Sequence, residues 1–323
     1  MLECVKLVHN ALPEINLDNI DTSISFLGHR FSAPILIDSM TGGTAKGGQI
    51  NSILSSVAEE LGLGMGVGSQ RAGLRSEKLA ETYKIVRKNA PSIFLSANIG
   101  GAQLSQGLTI KDAKNLIDMI DANALIVHLN PLQELIQPEG ETESEKVLQS
   151  ICDLVEKVNV PVIVKEVGSG ISKEVAIQLE MAGVSAINVA GSGGTSWAGV
   201  EQIRAKKVND ISKVELGELF WDWGIPTAAS ILEVRRSVKI PIIASGGIRN
   251  GVDISKSISL GANIGGLAHP MLKKASESRD ALMVFIEKLI REIKSTMYLT
   301  GSKNVNELSA ARKVITGPLK DWL

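Results

Sequence analysis

Eight short apolar runs, separated by amphipathic stretches, constrain this chain more than any other feature of its sequence. Runs of this length are typical of strands buried on both faces of a parallel sheet. Alternating strands and helices require parallel strands joined by right-handed crossovers. Eight such units in roughly 240 residues favour a closed (β/α)8 TIM barrel over an open doubly wound sheet. The runs are Ile35–Met40, Met65–Ser69, Ile93–Gly100, Ala124–Asn130, Val162–Gly168, Ala186–Gly191, Ile240–Ser245 and Asn263–Ala268.

The stretches between these runs carry apolar residues at helical spacing, and they set the predicted domain plan. We expect one domain, with an irregular lead-in over residues 1–34, the barrel over 35–275 and a helical region over 276–323. The lead-in is expected to contain one short strand near Ser25–Leu27. The helical stretches predicted between the strands include Gln49–Leu61, Lys111–Ile120, Lys146–Val158, Lys173–Ala182 and Asp253–Leu260.

Composition and charge exclude several classes of protein. Hydrophobic residues make up 44% of the chain but aromatic residues only 3%, which fits a barrel core of Val, Ile, Leu and Ala. A formal net charge of −1 argues against nucleic acid or an anionic membrane surface as a partner. Cys4 and Cys152 have no zinc-site spacing, and no apolar run reaches about 18 residues. We therefore expect a reduced, cytoplasmic protein.

The fourth run ends in a cluster of polar side chains. His128 and Asn130 lie two positions apart, so on a strand they point to the same side. Pro131 removes a backbone donor and ends the ladder, which places Gln133 and Glu134 in the loop just past the strand. The carboxyl ends of barrel strands are where such enzymes keep their chemistry, so we predict that this cluster belongs to an active site.

Glycines follow several strands, and one lysine interrupts another. Gly42–Gly43, Gly191–Gly194 and Gly246–Gly247 come directly after apolar runs, and Gly265–Gly266 lies within one. Because glycine permits consecutive N–H groups to point into one concavity, these loops predict a phosphate-bearing ligand.

Lys165 interrupts the fifth run, and neighbouring residues on a strand face opposite ways, so Glu166 cannot pair with it on the same face. A buried ammonium is expected to contact an anionic ring or phosphate, such as a reduced flavin.

The connection after the sixth strand is unusually long. It extends from Gly193 to Pro226 and is rich in Trp and charged residues. Connections of this length in compact domains are more often functional than idle, so we predict a lid or binding loop here.

The sequence resembles the type 2, FMN-dependent isopentenyl-diphosphate isomerases across nearly its whole length. The Ser-Gln-Arg block and the His-Leu-Asn-Pro-x-Gln-Glu block are the most specific part of the resemblance. The matching blocks are Met40–Gly43, Met65–Arg71, Ala97–Gly100, His128–Glu134, Lys165–Glu166, Gly193–Trp197, Ser245–Arg249 and Leu299–Gly301.

This resemblance implies a role for individual positions. Glu134 would bind Mg²⁺, which needs few protein ligands when phosphate oxygens and water complete its shell. The implied substrate contacts are Ser69, Gln70, Arg71, Asn130 and Gln133, and the implied catalytic positions are His128, Gln133 and Glu201. The implied FMN contacts are Met40, Thr41, Gly42, Ser69, Asn98, Lys165, Thr195, Gly246, Gly247, Arg249, Ala268 and His269, the last replacing an expected apolar residue near the phosphate.

The implied reaction is a 1,3-proton shift that converts isopentenyl diphosphate into dimethylallyl diphosphate. It would use reduced FMN and Mg²⁺, with NADPH as the reductant, in a homo-oligomer of four or eight chains. Because a neutral alkene is a very poor base, the reduced flavin is the expected proton donor, and Gln133 an orienting group. The sequence leaves His128 and Glu201 open as the base.

The amino-terminal sequence departs from the family pattern, and it keeps two alternatives open. The family begins with an Arg-Lys-x-x-His segment that contacts the diphosphate, whereas this sequence begins Met1-Leu2-Glu3-Cys4. Each missing charge-assisted contact weakens binding by about 1.5–3 kcal/mol, so we expect FMN binding but poor isomerisation unless the chain is extended. The alternatives are an FMN-dependent oxidase or dehydrogenase of 2-hydroxy acids and a flavin-binding protein with impaired catalysis.

Overall fold

Eight parallel strands close into a barrel, as predicted from the eight apolar runs. The structure is a computed structural model that describes residues 1–323. In barrel order the strands run β10-β11-β4-β5-β6-β7-β8-β9, and β10 returns to β9. The twelve strands of the chain are β1 (Val5–Leu7), β2 (Ile24–Phe26), β3 (His29–Phe31), β4 (Ile35–Ile37), β5 (Gly64–Gly66), β6 (Leu95–Gly100), β7 (Ala124–Leu129), β8 (Val162–Glu166), β9 (Ala186–Asn188), β10 (Ile242–Ala244), β11 (Ile264–Leu267) and β12 (Lys313–Ile315).

Helices fill each crossover and add a carboxyl-terminal layer. Their starts follow local capping signals, as where the Thr44 side chain accepts the Gly47 N–H at the start of α1. The α-helices are α1 (Ala45–Leu61), α2 (Arg71–Arg75), α3 (Glu77–Asn89), α4 (Gly101–Ser105), α5 (Ile110–Met119), α6 (Pro131–Ile136), α7 (Val147–Lys157), α8 (Lys173–Met181), α9 (Trp197–Lys207), α10 (Ile211–Leu219), α11 (Thr227–Ser237), α12 (Gly251–Ser259), α13 (His269–Glu277), α14 (Arg279–Thr300) and α15 (Val305–Ser309). No helix combines the length and the apolar character needed to cross a membrane.

Seven of the eight barrel strands end before the predicted runs do, and β6 ends at Gly100 as its run does. The first run, Ile35–Met40, contains a strand that ends at Ile37, and the sixth, Ala186–Gly191, contains one that ends at Asn188. The residues past each ladder are nonetheless buried or half-buried, which is why they read as strand in the sequence. Because every barrel strand is parallel, these residues gather at one rim.

The opposite, amino-terminal end of the barrel is plugged by aromatic side chains. Phe26 and Phe31, from the antiparallel hairpin β2–β3, pack with Phe94 against barrel-interior residues such as Ile126 and Ile163. The Phe31 and Phe94 ring centroids are 5.7 Å apart. Few aromatics are present in the chain, and three of its five phenylalanines close this end.

The lead-in and the long connection are more ordered than predicted. The lead-in, expected to be irregular with one short strand, contains three strands, and β1 pairs antiparallel with β12, with Val5 opposite Ile315. The expectation was wrong because strands of three residues give too short a pattern to recognise. The connection after β9 holds a helical hairpin, α9 and α10, whose helices pack closely together.

We predict that Phe31→Ala lowers the free energy of unfolding by about 3–5 kcal/mol, because the ring is 1% exposed and its loss leaves a cavity at the plugged end. Urea denaturation followed by circular dichroism measures the change. Leu12→Ala is the control, since Leu12 is 73% exposed and its truncation should stay within about 0.5 kcal/mol. Equal losses in the two variants would contradict the plug.

Candidate active site

The polar cluster after β7 lies on a short helix at the carboxyl-terminal rim. His128 ends the strand, Asn130 is the N-cap of α6, and Pro131 occupies its first turn. Gln133 and Glu134 therefore lie on a helix and not in a loop, which corrects the prediction. Pro131 explains both the end of β7 and the start of α6. A proline cannot donate to the strand ladder, and it is well suited to the first position of a helix.

Three of these side chains form a continuous hydrogen-bonded chain with Glu201 of α9. The Asn130 Nδ2 donates to Glu134 Oε1 at 2.9 Å and to Gln133 Oε1 at 3.2 Å. The Gln133 Nε2 donates in turn to Glu201 Oε1 at 2.9 Å. Carboxylates at this site only accept hydrogen bonds, so the two ends of the chain fix the orientation of both amides. The structure thus brings together Asn130, Gln133, Glu134 and Glu201, although Glu201 is 67 residues or more away from the other three in sequence.

Lys165 is buried at the barrel mouth and has a partner on another strand. Its Nζ lies 3.8 Å from Asp38 Oδ2, just after β4, and donates to the Glu166 carbonyl oxygen at 2.8 Å. Asp38 also accepts from Asn188 Nδ2 at 3.0 Å. Asn188 in turn accepts from the Ser245 hydroxyl at 2.6 Å. One ion pair and two hydrogen bonds therefore link groups of four different strands or strand ends across the barrel interior.

The Glu166 side chain faces away from Lys165, as the strand alternation predicts. Its Oε2 accepts the N–H groups of Val167 and Gly168 at 2.6 Å each, and the N–H of Ser169 as well. Burial raises the pKa of the Glu166 carboxyl, while the three N–H groups and the Lys165 ammonium oppose that rise. Glu166 thereby orders the loop after β8.

His128 is held as a neutral imidazole. Its Nδ1 lies 2.8 Å from Asn98 Oδ1, whose own Nδ2 donates to the Val67 carbonyl oxygen at 3.1 Å. That orientation of Asn98 makes His128 Nδ1 the protonated nitrogen and leaves Nε2 as an acceptor. Desolvation, together with the positive charges of Lys165 and Arg71, lowers the pKa of His128 to about 4. At neutral pH His128 can accept a hydrogen bond at Nε2, but it carries no charge for a diphosphate.

The glycine loops after β9 and β10 contact each other through their backbones. A Cβ at Gly247 would collide with the main chain of Gly193, and a Cβ at Gly194 would lie 2.8 Å from the Gly247 nitrogen. Gly246 and Gly247 have φ of +98° and +75°, which favour glycine. The N–H groups of these four glycines donate to no group of the protein. They form a rim of free donors that would suit an anion.

Arg249 and the residues after β11 complete this side of the rim. The Arg249 guanidinium donates to the carbonyl oxygens of Gly247 and Gly193 at 3.0 Å each, so it links the two glycine loops. Ala268 is the N-cap of α13, and His269 is its exposed first residue. A helix N-terminus next to free loop N–H groups adds to the preference for an anion.

Most of the remaining predicted positions lie at the rim with at least part of the residue accessible to solvent. Met40, Thr41, Gly42 and Ser69 lie half-buried or exposed after β4 and β5, where the Thr41 carbonyl oxygen accepts the Gly68 N–H at 2.9 Å. Arg71 is exposed at the start of α2. Thr195 is exposed in the loop after β9.

Gln70 is placed differently from these neighbours. It is fully buried, and its side chain accepts the Asn98 N–H at 2.9 Å and donates to the Leu116 carbonyl oxygen at 3.1 Å. Gln70 therefore belongs to the barrel wall, which corrects its predicted role as a substrate contact.

A cavity of about 330 Å³ opens at the same rim. Gln133 of α6, the loops after β8 and β9, and the segment between α10 and α11 line it. That last segment contributes Trp221 and Trp223, which are 45% and 63% exposed. The long connection therefore covers part of the opening, consistent with the predicted lid or binding loop.

Comparison with known proteins shows the family of this chain. Residues 102–315 match the FMN-dependent dehydrogenase family. The isopentenyl-diphosphate delta-isomerase of Methanothermobacter thermautotrophicus is 49% identical over 321 residues, which cover 99% of this chain and 88% of the relative. That of Archaeoglobus fulgidus is 48% identical over 323 residues, covering 100% and 92%. The chain belongs to the type 2, FMN-dependent isopentenyl-diphosphate isomerase family.

Solved structures of lower identity share the fold of this isomerase family member. A mutant flavocytochrome b2 with benzoylformate superposes with a TM-score of 0.72 at 16% identity, covering 99% of this chain and 78% of that one. A mandelate oxidase mutant with a monooxide FMN adduct gives 0.66 at 16% identity, covering 98% and 89%. The likeness shows that all three are barrels of the same kind.

The residues at the mouth fit FMN. The N–H groups of Gly193, Gly194, Gly246 and Gly247, which have no acceptor in the protein, suit a phosphate. A Cβ at Gly194, Gly246 or Gly247 would collide with the neighbouring loop, so glycine at these three positions lets the two loops lie together. The Lys165 ammonium is a buried cation at the mouth and would suit an anionic reduced flavin ring. For Mg²⁺ the protein offers fewer suitable groups than it does for FMN. No three His, Cys, Asp or Glu side chains cluster to hold a resident ion, so Glu134 suits a metal that arrives with phosphate oxygens.

Several residues that build this site were missed in the sequence. Asp38 interrupts the first apolar run, and Lys165 interrupts the fifth. One charged residue of each sign within buried strands could have suggested the ion pair that they form. Arg204 contacts the Glu201 carboxylate from three residues further along α9, a spacing that becomes visible only once α9 is recognised as a helix. Trp221 and Trp223 carried no signal beyond their place in the long connection.

We predict that the His128 imidazole titrates near pH 4 and stays in its Nδ1–H form at neutral pH. The unfolded chain binds this proton near pH 6.5, so the stability that His128 contributes is complete above that pH and is lost as the pH falls toward 4. Nitrogen-15 NMR of the imidazole measures the midpoint, and His128→Gln identifies the resonance. A midpoint near 6.5 would contradict the assignment.

Proposed function

We propose that this chain interconverts isopentenyl diphosphate and dimethylallyl diphosphate by a 1,3-proton shift, with reduced FMN and Mg²⁺ bound at the barrel mouth. The observation that carries the proposal is the hydrogen-bonded chain Glu134–Asn130–Gln133–Glu201 beside a buried ammonium and a rim of free N–H groups. The relatives named isopentenyl-diphosphate delta-isomerase, at 48–49% identity over nearly the full chain, support it.

The cofactor would be held by groups from opposite sides of the rim. The N–H groups of Gly246 and Gly247, with the remaining donors of Arg249 and the start of α13, would bind its phosphate. Lys165 would lie against the ring, where its positive charge stabilises the anionic reduced form. Reduced FMN, when bound, supplies an electron-rich face and a proton donor that no side chain here matches. Met40, Thr41, Ser69, Asn98, Thr195 and Ala268 would contribute the other walls.

The substrate would be oriented by α6 and by the start of α2. Arg71 offers a planar cation for the diphosphate, and Glu134 one carboxylate for a Mg²⁺ ion shared with phosphate oxygens. Both Glu134 oxygens already accept a hydrogen bond, one from Asn130 and one from the Glu141 N–H, which fixes the carboxylate before any metal arrives. Asn130 and Gln133 then hold the substrate next to that carboxylate.

Glu201 is the group that we assign as the base for the C2 proton. It is 1% exposed, it lies next to Gln133, and it is paired with Arg204. Gln133 does not titrate, so its role is to orient the substrate and Glu201. His128 is neutral at physiological pH, and its Nε2 can accept a hydrogen bond from substrate or from bound water.

Isotope exchange tests this function directly. The purified chain is loaded with FMN, reduced with NADPH or dithionite, and incubated with isopentenyl diphosphate and Mg²⁺ in D₂O. Deuterium entering dimethylallyl diphosphate supports the isomerase. A flavoprotein that causes no exchange, or one that oxidises 2-hydroxy acids such as mandelate or lactate, would overturn it.

We predict that Glu134→Gln lowers kcat/KM for isopentenyl diphosphate by at least about tenfold, because Mg²⁺ loses its only carboxylate there. FMN binding, followed by the visible spectrum, should stay unchanged. Glu141→Gln is the matched control, since only the backbone N–H of that residue contacts Glu134. Full activity of Glu134→Gln at limiting Mg²⁺ would contradict the metal assignment.

Two further parts of the proposal concern the reductant and the assembly. We propose NADPH as the reductant, which anaerobic bleaching of the flavin spectrum would reveal. We also propose a homo-oligomer of four or eight chains, and light scattering coupled to gel filtration measures its mass. A monomer, or a flavin that NADPH fails to reduce, would refute the respective part and leave the isomerase reaction to the exchange assay.

A further inference from the structure

Arg204 extends from α9 toward two carboxylates at once. Its NH1 donates to Glu201 Oε2 at 2.7 Å, and its NH2 donates to Glu139 Oε1. The guanidinium is a planar fork, so two arms can bind two partners with fixed relative geometry. Neither the family resemblance nor the proposed reaction assigns any part to Arg204 or Glu139.

The inner arm neutralises a deeply buried charge. Glu201 is 1% exposed, and Arg204 provides its only ion pair. A buried carboxylate without a cation is costly, so this contact offsets part of the cost of burying Glu201. The other oxygen of Glu201 accepts from Gln133. The guanidinium thereby also fixes the side-chain rotation that places Glu201 against Gln133.

The outer arm holds a segment that reaches the second carboxylate of the site. We call residues 137–141 the strap. Glu139, in its middle, pairs with Arg204, and the strap's last residue, Glu141, donates its N–H to Glu134 Oε2 at 2.9 Å. A Cβ at Gly140 would collide with the Glu134 carbonyl oxygen, so the strap lies directly on the end of α6. The hydrogen bond from Arg204 keeps the pKa of Glu139 below its ordinary value.

We propose that Arg204 is a positioning residue that fixes both carboxylates of the active site: Glu201 directly, and Glu134 through Glu139 and the strap. This inference rests on the proposed isomerase function for its effect on catalysis, but not for its effect on the strap. Arg204 touches neither the substrate nor the cofactor. It connects α9, from the long connection, to the strap that follows α6. The distance between Glu201 on α9 and Glu134 on α6 is thereby kept constant.

The chain offers a matched control for an exposed arginine pair. Arg279 pairs with Glu60, and their side chains are 42% and 57% exposed, against 44% and 57% for Arg204 and Glu139. Arg279→Ala therefore removes a similar surface ion pair that has no link to the site. Arg204→Ala removes both arms, Arg204→Lys keeps one point charge without the fork, and Glu139→Gln weakens the outer arm alone.

The experiment combines steady-state kinetics with hydrogen–deuterium exchange on the FMN-loaded chain. Kinetics give kcat, KM for isopentenyl diphosphate and the Mg²⁺ concentration for half-maximal rate. Exchange in a peptide spanning 137–141 needs neither substrate nor Mg²⁺, so it reports on the strap even if the reaction is different. FMN affinity and the thermal midpoint are measured for every variant.

For Arg204→Ala we expect kcat to fall on the order of 10- to 100-fold, in the range found when the partners of site ligands are removed. FMN affinity should be unchanged, and exchange in the strap should be faster. Glu139→Gln should raise the half-maximal Mg²⁺ concentration and strap exchange while lowering kcat less than Arg204→Ala does. Arg204→Lys should recover part of kcat, and Arg279→Ala should match the unmodified chain throughout.

Three results would overturn the inference. One is kinetics of Arg204→Ala that equal those of Arg279→Ala. Another is a loss of activity that follows a loss of FMN or of thermal stability, with unchanged strap exchange, since that would mark Arg204 as merely structural. If the unmodified chain shows no isomerisation while Arg204→Ala speeds strap exchange, the proposed function fails and the strap contact stands. The third is unchanged exchange in all variants, which refutes the contact itself.

Discussion

The closure of a parallel hydrogen-bond ladder is the constraint on which the rest of this structure depends. When β11 pairs with β4, with Gly265 opposite Ile35, the sheet has no free edge, and all eight strands end at one rim. Strands as short as three residues suffice to close it. Because the ladders stop early, the residues that follow are released from pairing while still fixed by their strands. The site is built from those residues.

Closure also brings buried charges together, and each one is compensated locally. Lys165 faces Asp38 across the mouth, while the Glu166 carboxylate accepts three consecutive N–H groups of its own loop. Glu134 accepts from an amide and a backbone N–H, and Glu201 from an amide and a guanidinium. Such groups stabilise the fold little, since desolvation offsets most of the attraction. These groups instead provide fixed dipoles and charges at the barrel mouth, where they can stabilise charge that develops during a reaction.

The sequence predicted the barrel and most of the rim for identifiable physical reasons. Runs of four or more apolar residues between amphipathic helices leave few alternatives, so all eight strands were found. Glycines after strands and a lone Lys165 in a strand are equally local signals. What could not be predicted depends on pairs distant in sequence. Asp38 and Lys165 are joined only by the register of separate strands, and Gln133 and Glu201 only by the packing of α6 against α9.

Other differences arose from local structure that the sequence under-determines. Gln70 belongs to a specific sequence block, yet its side chain turns into the wall, because Asn98 and Leu116 offer backbone partners there. The helical hairpin of the long connection was missed because its apolar residues do not form one face. Ile203 and Ile211 are 52% and 72% exposed, so the pattern lacks the stripe that marks a buried helix.

The two carboxylates determine how the side-chain amides of Asn130 and Gln133 are oriented. Asn130 and Gln133 each have one donor end and one acceptor end, and an amide chain between two acceptor-only carboxylates can be oriented in one way only. The Glu201 carboxylate therefore determines which end of the Gln133 amide points toward it, and Arg204 holds that carboxylate in place. A cation on α9 in this way sets the hydrogen-bonding character of a neutral amide on α6.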